Sequence, residues 1–457
     1  YNLDAFFDGS VEPDYLIPYE QLLLFTWPTA LSLIVVSMAI VIAMRWLILP
    51  RVRAGTYSIY SVFYFRKWCM ALCTEVVLET LNSLFATVYM RYWYKMMGAR
   101  IGKGSEISTN LAGRYDLVDI GDGNFIGDEA IFGDEEIRNG YMTLGTVKTG
   151  DRVFFGNAAI VPAGSVIEDG ALIGVKSKMP DSLHVKANET WFGSPAIRLP
   201  VRQRVDLGAS ATYEPPFRMK LWRATFEAMH TSLPTALFIM MGYITASTIE
   251  GPIVEGQYLT AFGIVLAAGV VIAIALIMVS VAFKWIMMGT YKPVMKPMWS
   301  WWAMRTEACA VLYGGLVGKA SLEYMRGTPF LPWALKLFGT KVGKGVLMDW
   351  TDVTEFDCIT LGDYCVINAH SCPQTHLYED RVMKVGRIEI GRGATIGSGC
   401  TILYDTKIGE FARIEPLTLV MKGEHIPPHT MWQGAPAVPY IAHVAPVPAE
   451  TKLKAAA

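Results

Sequence analysis

The chain has 457 residues, 52% of them hydrophobic and only 18% charged, with a mean hydropathy of +0.32. That is too apolar for an ordinary soluble protein and points to membrane segments beside folded domains. A net charge of −1 gives no electrostatic case for nucleic acid, and seven cysteines without a Cys-x-x-Cys pair indicate neither a zinc knuckle nor a disulfide framework, so reduced thiols and no metal are expected.

Residues 1–20 carry Asp4, Asp8, Glu12, Asp14 and Glu20 but no Lys or Arg, which reads as an extracytoplasmic segment and not as a signal peptide. Region 21–49 holds the first uncharged stretch, 22–44, and region 231–289 holds two more, 231–249 and 258–283. Each is long enough for a bilayer core of about 30 Å, at about 1.5 Å per helical residue. Arg45, Arg51, Arg53, Arg66 and Lys67 follow the first stretch, and Lys284, Lys292 and Lys296 follow the third. The turn 250–257 between the second and third carries only Glu250 and Glu255. The positive-inside rule then puts the N-terminus and that turn outside a plasma membrane crossed several times, with both large folded regions cytoplasmic.

Regions 50–97 and 290–338 are rich in aromatic and basic residues. They read as juxtamembrane helices that lie amphipathically at the interface or cap a neighbouring domain. Region 98–200 then shows a period of six, with IGDGNF from Ile120, IGDEAI from Ile126, FGDEEI from Phe132 and a second run from Thr149 to Lys178. Region 201–230 is a linker. Region 339–444 repeats the pattern more strictly, since Ile390, Ile396, Ile402, Ile408, Ile414 and Val420 fall on every sixth residue; 445–457 is a tail. Helices bury every 3.6 residues and flat strands every second one, so a period of six means three short strands per coil stacked into a prism. The expected architecture is membrane-anchored, with tandem hexapeptide (left-handed parallel) β-helices joined by transmembrane α-helices and amphipathic juxtamembrane helices.

The two prisms are copies of one unit. Gly98 to Gly104 matches Gly339 to Gly345, and Trp191-x-Gly-x-Pro-Ala196 matches Trp432-x-Gly-x-Pro-Ala437, all at an offset of 241. Upstream, Arg45-Trp46 matches Lys284-Trp285 and Arg66 matches Arg305 at 239, so the repeat includes a span. Copy two follows a pair of spans and copy one a single span, from which a further span before Tyr1 is expected. In both copies the pattern breaks, at 138–148 and at 379–389, where a loop leaves the prism.

Chemistry is expected at that loop. Of seven histidines, His370 and His376 lie at its mouth in copy two. A histidine with a pKa near 6.5 is a neutral base at cell pH, and Glu379 or Asp380 is the expected orienter. Arg381 is a candidate substrate contact. Copy one has Glu129 and Glu135 at the two histidine positions, and with Asp134 these form an acidic cluster that is either a solvated edge or a host for a cationic substrate. His425 and His429, where the coils end, read as structural.

Hexapeptide prisms resemble acyltransferases, in which a histidine base serves an acyl thioester on a phosphopantetheine arm. Were the donor acyl-CoA, Lys176, Lys178 and Lys422 near the coil ends would be the only obvious material for a pocket that binds its nucleotide phosphates. The repeated spans and prisms, the stretch THLYEDRVMK at 375–384 and the WxGxPA ends together resemble the C-terminal membrane region of nonribosomal peptide synthetases of the ε-poly-L-lysine synthetase type. The resemblance covers nearly the whole chain. It implies that an adenylation domain and a phosphopantetheine carrier precede three tandem soluble domains, of which this chain holds the last two. It also implies isopeptide-bond formation on a cationic amino acid such as lysine, with that amino acid, its polymer, the adenylation and carrier domains, membrane lipid and a homo-oligomer as partners. Two alternatives stand beside it: a stand-alone membrane acyltransferase using acyl-CoA, and a non-catalytic membrane scaffold for dimerisation or product export.

Overall fold

The structure is a computed structural model that describes residues 19–202 and 204–440. The acidic segment up to residue 18 and the tail 445–457 lie outside the described residues. The chain divides into two compact units. The first runs to residue 290 and adds 294–324 and 378–384; the second comprises 291–293, 325–377 and the chain from 385 on.

Unit 1 opens with helix α1 (Tyr19–Ile48), whose segment Leu24–Ile48 has the length and hydropathy of a span. Strand β1 (Gly55–Ser58) and helices α2 (Val62–Thr80) and α3 (Val88–Met96) follow. The Ser61 hydroxyl caps α2 by accepting from the Tyr64 N–H. Helix α3 buries Met90, Trp93 and Tyr94 against the first coil strands, so this juxtamembrane helix caps the open end of the prism.

The copy-one prism is three parallel sheets. One stacks 100–101, 118–120, 147–149, 166–167 and 184–185; the second stacks 106–107, 125–126, 154–155, 172–173 and 190–192; the third pairs 131–134 with 160–162. Ile107, Ile126, Phe155 and Ile173 stand in register along the axis, each 0–1% exposed. This column is the physical meaning of the six-residue period, and each such side chain contributes about 1.5–3 kcal/mol by leaving water. The excursion proves to be a β-hairpin, β2 (Glu136–Arg138) and β3 (Tyr141–Leu144), with β1 as its third strand in the order β1-β3-β2. It leaves the prism earlier than the broken pattern suggests, because the last two residues of the apparent hexad FGDEEI, Glu136 and Ile137, are already hairpin strand.

The linker 201–230 is partly helical. Helix α4 (Phe217–Val254) starts well before the apolar stretch, because Arg223 and Glu227 bond each other across one turn at 2.6 Å instead of breaking the helix. Its 38 residues span about 57 Å, so its first turns stand clear of a 30 Å core. Helix α5 (Tyr258–Met287) is the most apolar, and α4 packs against both α1 and α5. All three helices are long and apolar enough to cross a membrane. Strand β4 (Val294–Pro297) and helix α6 (Trp301–Leu312) complete the run, with α6 packed on α4 and α5.

Unit 2 holds helix α7 (Phe330–Phe338), which caps the copy-two prism as α3 caps copy one. Ile367, Ile396 and Ile414 form its axial register. Cys365 and Cys400 are fully buried within it. The hairpin of copy two is β5 (His376–Glu379) and β6 (Val382–Val385), and its tip 378–384 belongs to unit 1. The duplication reaches single hydrogen bonds: the Val52 N–H donates to Asp116, and the Tyr291 N–H donates to Asp357.

Candidate active site

His376 opens β5 and is half-buried, and its Nδ1 lies 2.7 Å from Oε2 of Glu355. The same oxygen accepts from the Thr375 hydroxyl at 2.6 Å, and the Glu355 side chain is 2% exposed. Burial pushes the Glu355 carboxyl up, but the His376 imidazole and the hydrogen bonds of Thr375 and Thr354 outweigh it and hold the group below its ordinary value. Glu355 sits at φ 42°, ψ 53°, a left-handed conformation that costs a non-glycine residue about 1–2 kcal/mol. In this conformation the carboxylate lies on the imidazole. A carboxylate on Nδ1 fixes the tautomer and orientation of the ring, which leaves Nε2 as the basic nitrogen.

The expected orienters are engaged elsewhere. Glu379 pairs with Lys384 at 2.7 Å, and Asp380 accepts from Arg202 Nε at 3.1 Å. Arg381 is 3% exposed and donates to Glu106 at 2.7 Å and to the Asn124 carbonyl at 2.8 Å. Glu106 is shared with Arg223, which in turn holds Glu227, so Arg381 belongs to a closed ion network in unit 1 and not to a surface that meets substrate. His370 is exposed, at a left-handed corner with its ring 4.4 Å from that of Trp350.

Copy one explains how Glu355 escapes sequence reasoning. Its counterpart 241 residues earlier is Arg114, and the counterpart of His376 is Glu135; Arg114 and Glu135 are paired at 2.6 Å. The same two positions thus touch in both copies with their charges reversed, and that reversal was the available signal. Lys67 adds a second bond to Glu135, also at 2.6 Å, so this carboxylate is already neutralised by two cations. Glu129 and Asp134 are exposed. Lys178 pairs with Asp181, Lys422 lies over the Tyr404 ring, and Lys176 takes a left-handed corner. Burial pushes the Cys358 and Cys365 thiols up to about 12, which removes them as nucleophiles.

Unit 1 also contains a cavity of about 800 Å³ between α3, the corners of the first coils and the start of α4. Tyr89, Tyr92, Tyr213 and Trp299 wall it, and Arg91, Lys103, Arg152 and Lys220 alternate with Asp122, Asp151 and Glu214. Its size is that of a small-molecule site, and its alternating charge suits a zwitterion.

No protein-family model matches the chain. Over 91% of its length the chain is 38% identical to delta-poly-L-ornithine synthetase of Acinetobacter baumannii (strain AB307-0294), and it spans 31% of that protein's length. The resemblance to poly(amino acid) synthetases read from the sequence is thus met over nearly the whole chain. Among solved structures it is similar to galactoside acetyltransferase in complex with coenzyme A, at 14% identity over 36% of this chain and 92% of that one with a TM-score of 0.26. It is likewise similar to a maltose O-acetyltransferase from Clostridium difficile 630, at 16% identity over 33% and 94% with a TM-score of 0.24. A hexapeptide-repeat acetyltransferase from Vibrio cholerae matches at 18% identity over 23% and 63% with a TM-score of 0.19.

Proposed function

We propose that the chain is the amide-forming part of a membrane-bound poly(amino acid) synthetase, with His376 as general base and Glu355 as its orienter. The observation that carries the reading is the 2.7 Å contact between a buried carboxylate and His376 Nδ1 on the hairpin of a hexapeptide prism. The substrates in this reading are an aminoacyl thioester on a phosphopantetheine carrier and the side-chain amine of a diamino acid, ornithine or lysine, or of the growing chain. The amine nitrogen attacks the thioester carbonyl carbon and His376 Nε2 takes the proton that nitrogen loses. The C–S bond breaks, and the thiolate leaves with that proton. The Glu355 carboxylate stabilises the transient imidazolium.

Copy one carries Arg114 and Glu135 where this chemistry needs Glu and His, and its role in this reading is structural. The basic flanks of the spans support prisms on the cytoplasmic side, where carrier thioesters are made.

The test is His376→Ala and Glu355→Gln in the full-length protein. Polymer formation should fall roughly 10²- to 10⁴-fold in each, the range a positioned base contributes, while amino-acid activation in the same preparation is unchanged. Polymer formation at the wild-type rate in His376→Ala overturns the assignment.

A further inference from the structure

One edge of the copy-two prism carries two rings that the fold does not call for. Left-handed corners stack along it from Gly345 through Tyr364, Gly393 and Phe411 to His429. The Tyr364 N–H donates to the Lys344 carbonyl at 2.7 Å, that of Gly393 to Asp363 at 2.8 Å, that of Phe411 to Arg392 at 2.8 Å and that of His429 to Glu410 at 2.9 Å. In copy one the same corners are Gly104, Gly123, Arg152, Gly170 and Asn188. Bulky side chains are uncommon at positive φ, where glycine is at ease. Tyr364 and Phe411 thus carry a backbone cost that copy one avoids with Gly123 and Gly170, and burial does not offset it, since the two are 59% and 48% exposed. The glycines between them make room: a Cβ on Gly345 would stand 2.6 Å from the Tyr364 ring, and one on Gly393 2.5 Å from that of Phe411. The rings therefore lie along the edge, and His429 extends the strip by stacking on Phe411 at 5.2 Å.

In copy one the linker covers this edge. Arg204 donates to Asn188 at 2.7 Å, Arg202 to the Gly170 carbonyl at 2.9 Å, and Arg152 lies over the Tyr213 ring at 4.8 Å. The residues 241 positions after Arg202, Arg204 and Tyr213 are His443, Ala445 and Lys454, so none of those side chains recurs after copy two.

Charge alternates along the strip in step with the rings. Asp363 and Glu410 precede the two rings, whereas Lys344 and Arg392 precede the two glycines. A carboxylate beside an exposed ring suits an ammonium, and the strip already draws a cation, with the Arg392 guanidinium 5.9 Å over the Phe411 ring. Coils rise about 4.8 Å each, which sets the two ring sites, two coils apart, roughly 9.6 Å from one another. Six or seven bonds separate successive ammonium-bearing carbons in a side-chain-linked ornithine or lysine polymer, roughly 7.6–8.9 Å at about 1.27 Å per bond.

We propose that this edge is a track for the growing polycation, with successive ammoniums at Asp363 with Tyr364 and at Glu410 with Phe411, and a methylene run across Gly393. The identity of the ligand rests on the amide-forming reading; the strip itself does not involve His376.

The test combines Tyr364→Gly with Phe411→Gly in the full-length protein. Glycine suits both corners, so the thermal unfolding temperature should be unchanged or raised. Binding of ε-linked pentalysine, read by titration calorimetry in detergent, should weaken about 5- to 30-fold, the loss expected for two exposed cation–π contacts. The variant's polymer should be shorter by mass spectrometry, with the rate of the first coupling unchanged. Exchanging the rings, Tyr364→Phe with Phe411→Tyr, should preserve both affinity and length. Wild-type affinity or product length in the glycine variant overturns the proposal, as does an equal loss in the ring exchange. A changed oligomeric state in the glycine variant also overturns it, by making the strip a contact between copies. Because affinity is read without turnover, an active His376→Ala protein would overturn the amide-forming assignment and leave this result separate.

Discussion

Glu135 and His376 occupy one position of the repeat and show how little separates a salt bridge between two fixed charges from a carboxylate–imidazole pair. Burial pushes the Glu135 carboxyl up, but Arg114 and Lys67 outweigh it and hold the group below its ordinary 4.5. Lys67 itself is drawn below its usual value by burial despite the pairing, so the carboxylate and not the ammonium sets the acid limb. A depressed carboxyl stabilises the fold fully above about pH 4.5, and that stabilisation is lost as pH falls through the depressed value. Glu135→Gln should therefore cost about 3 kcal/mol near neutral pH by leaving two buried cations without their partner. It should also flatten the loss of stability below pH 4.5, read by thermal unfolding in detergent across pH; an unchanged acid limb would show that the clamp is not what titrates. Of this carboxylate–imidazole pair the sequence singled out only the histidine. His376 stood out by rarity and acidic neighbours, whereas its partner lies 21 residues away on another coil, and proximity in sequence favoured Glu379 and Asp380 instead.

The hairpins show the same divergence at the level of elements. Both turn on two left-handed residues, Asn139-Gly140 in copy one and Asp380-Arg381 in copy two. The first pair is a strong hairpin signal in sequence and the second is not, since arginine is rarely left-handed. Arg381 accepts that strain because its guanidinium closes the Glu106 network. Arg381→Ala should destabilise the protein by about 3–5 kcal/mol, since it strips one cation from a buried carboxylate. Arg381→Lys should recover only part of that loss, because an ammonium cannot reach Glu106 and the carbonyls of Gly104 and Asn124 together. Thermal unfolding of the two variants side by side decides it, and equal losses would mean that charge alone matters. The coils were legible because a six-residue period has one structural solution. The hairpin boundaries were not, because a strand leaving a prism mimics the end of a hexad. The early start of α4 was hidden for a related reason, its charges being satisfied by partners that hydropathy cannot see.

For the molecule as a whole the decisive quantity is where its charges can stand relative to a bilayer. Each prism follows a span whose exit flank is basic: Arg51 and Arg53 after α1, and Lys292 and Lys296 after α5. The anionic lipids of a cytoplasmic leaflet attract each such cation by about 1 kcal/mol near the surface. The opposite end of the pair offers that leaflet nothing, since Glu250 near the end of α4 and Glu255 in the turn to α5 are its only charged side chains. Reversing the molecule would carry two prisms across the bilayer and bring two carboxylates to the anionic face. The expected topology therefore has Gly256 outside and Lys178 inside. In a background lacking reactive native thiols, Gly256→Cys should be labelled in intact cells by a membrane-impermeant maleimide, and Lys178→Cys only after permeabilisation. The opposite pattern would place His376 and Glu355 on the side of the membrane that has no carrier-bound thioesters, and the amide-forming reading would fall with it.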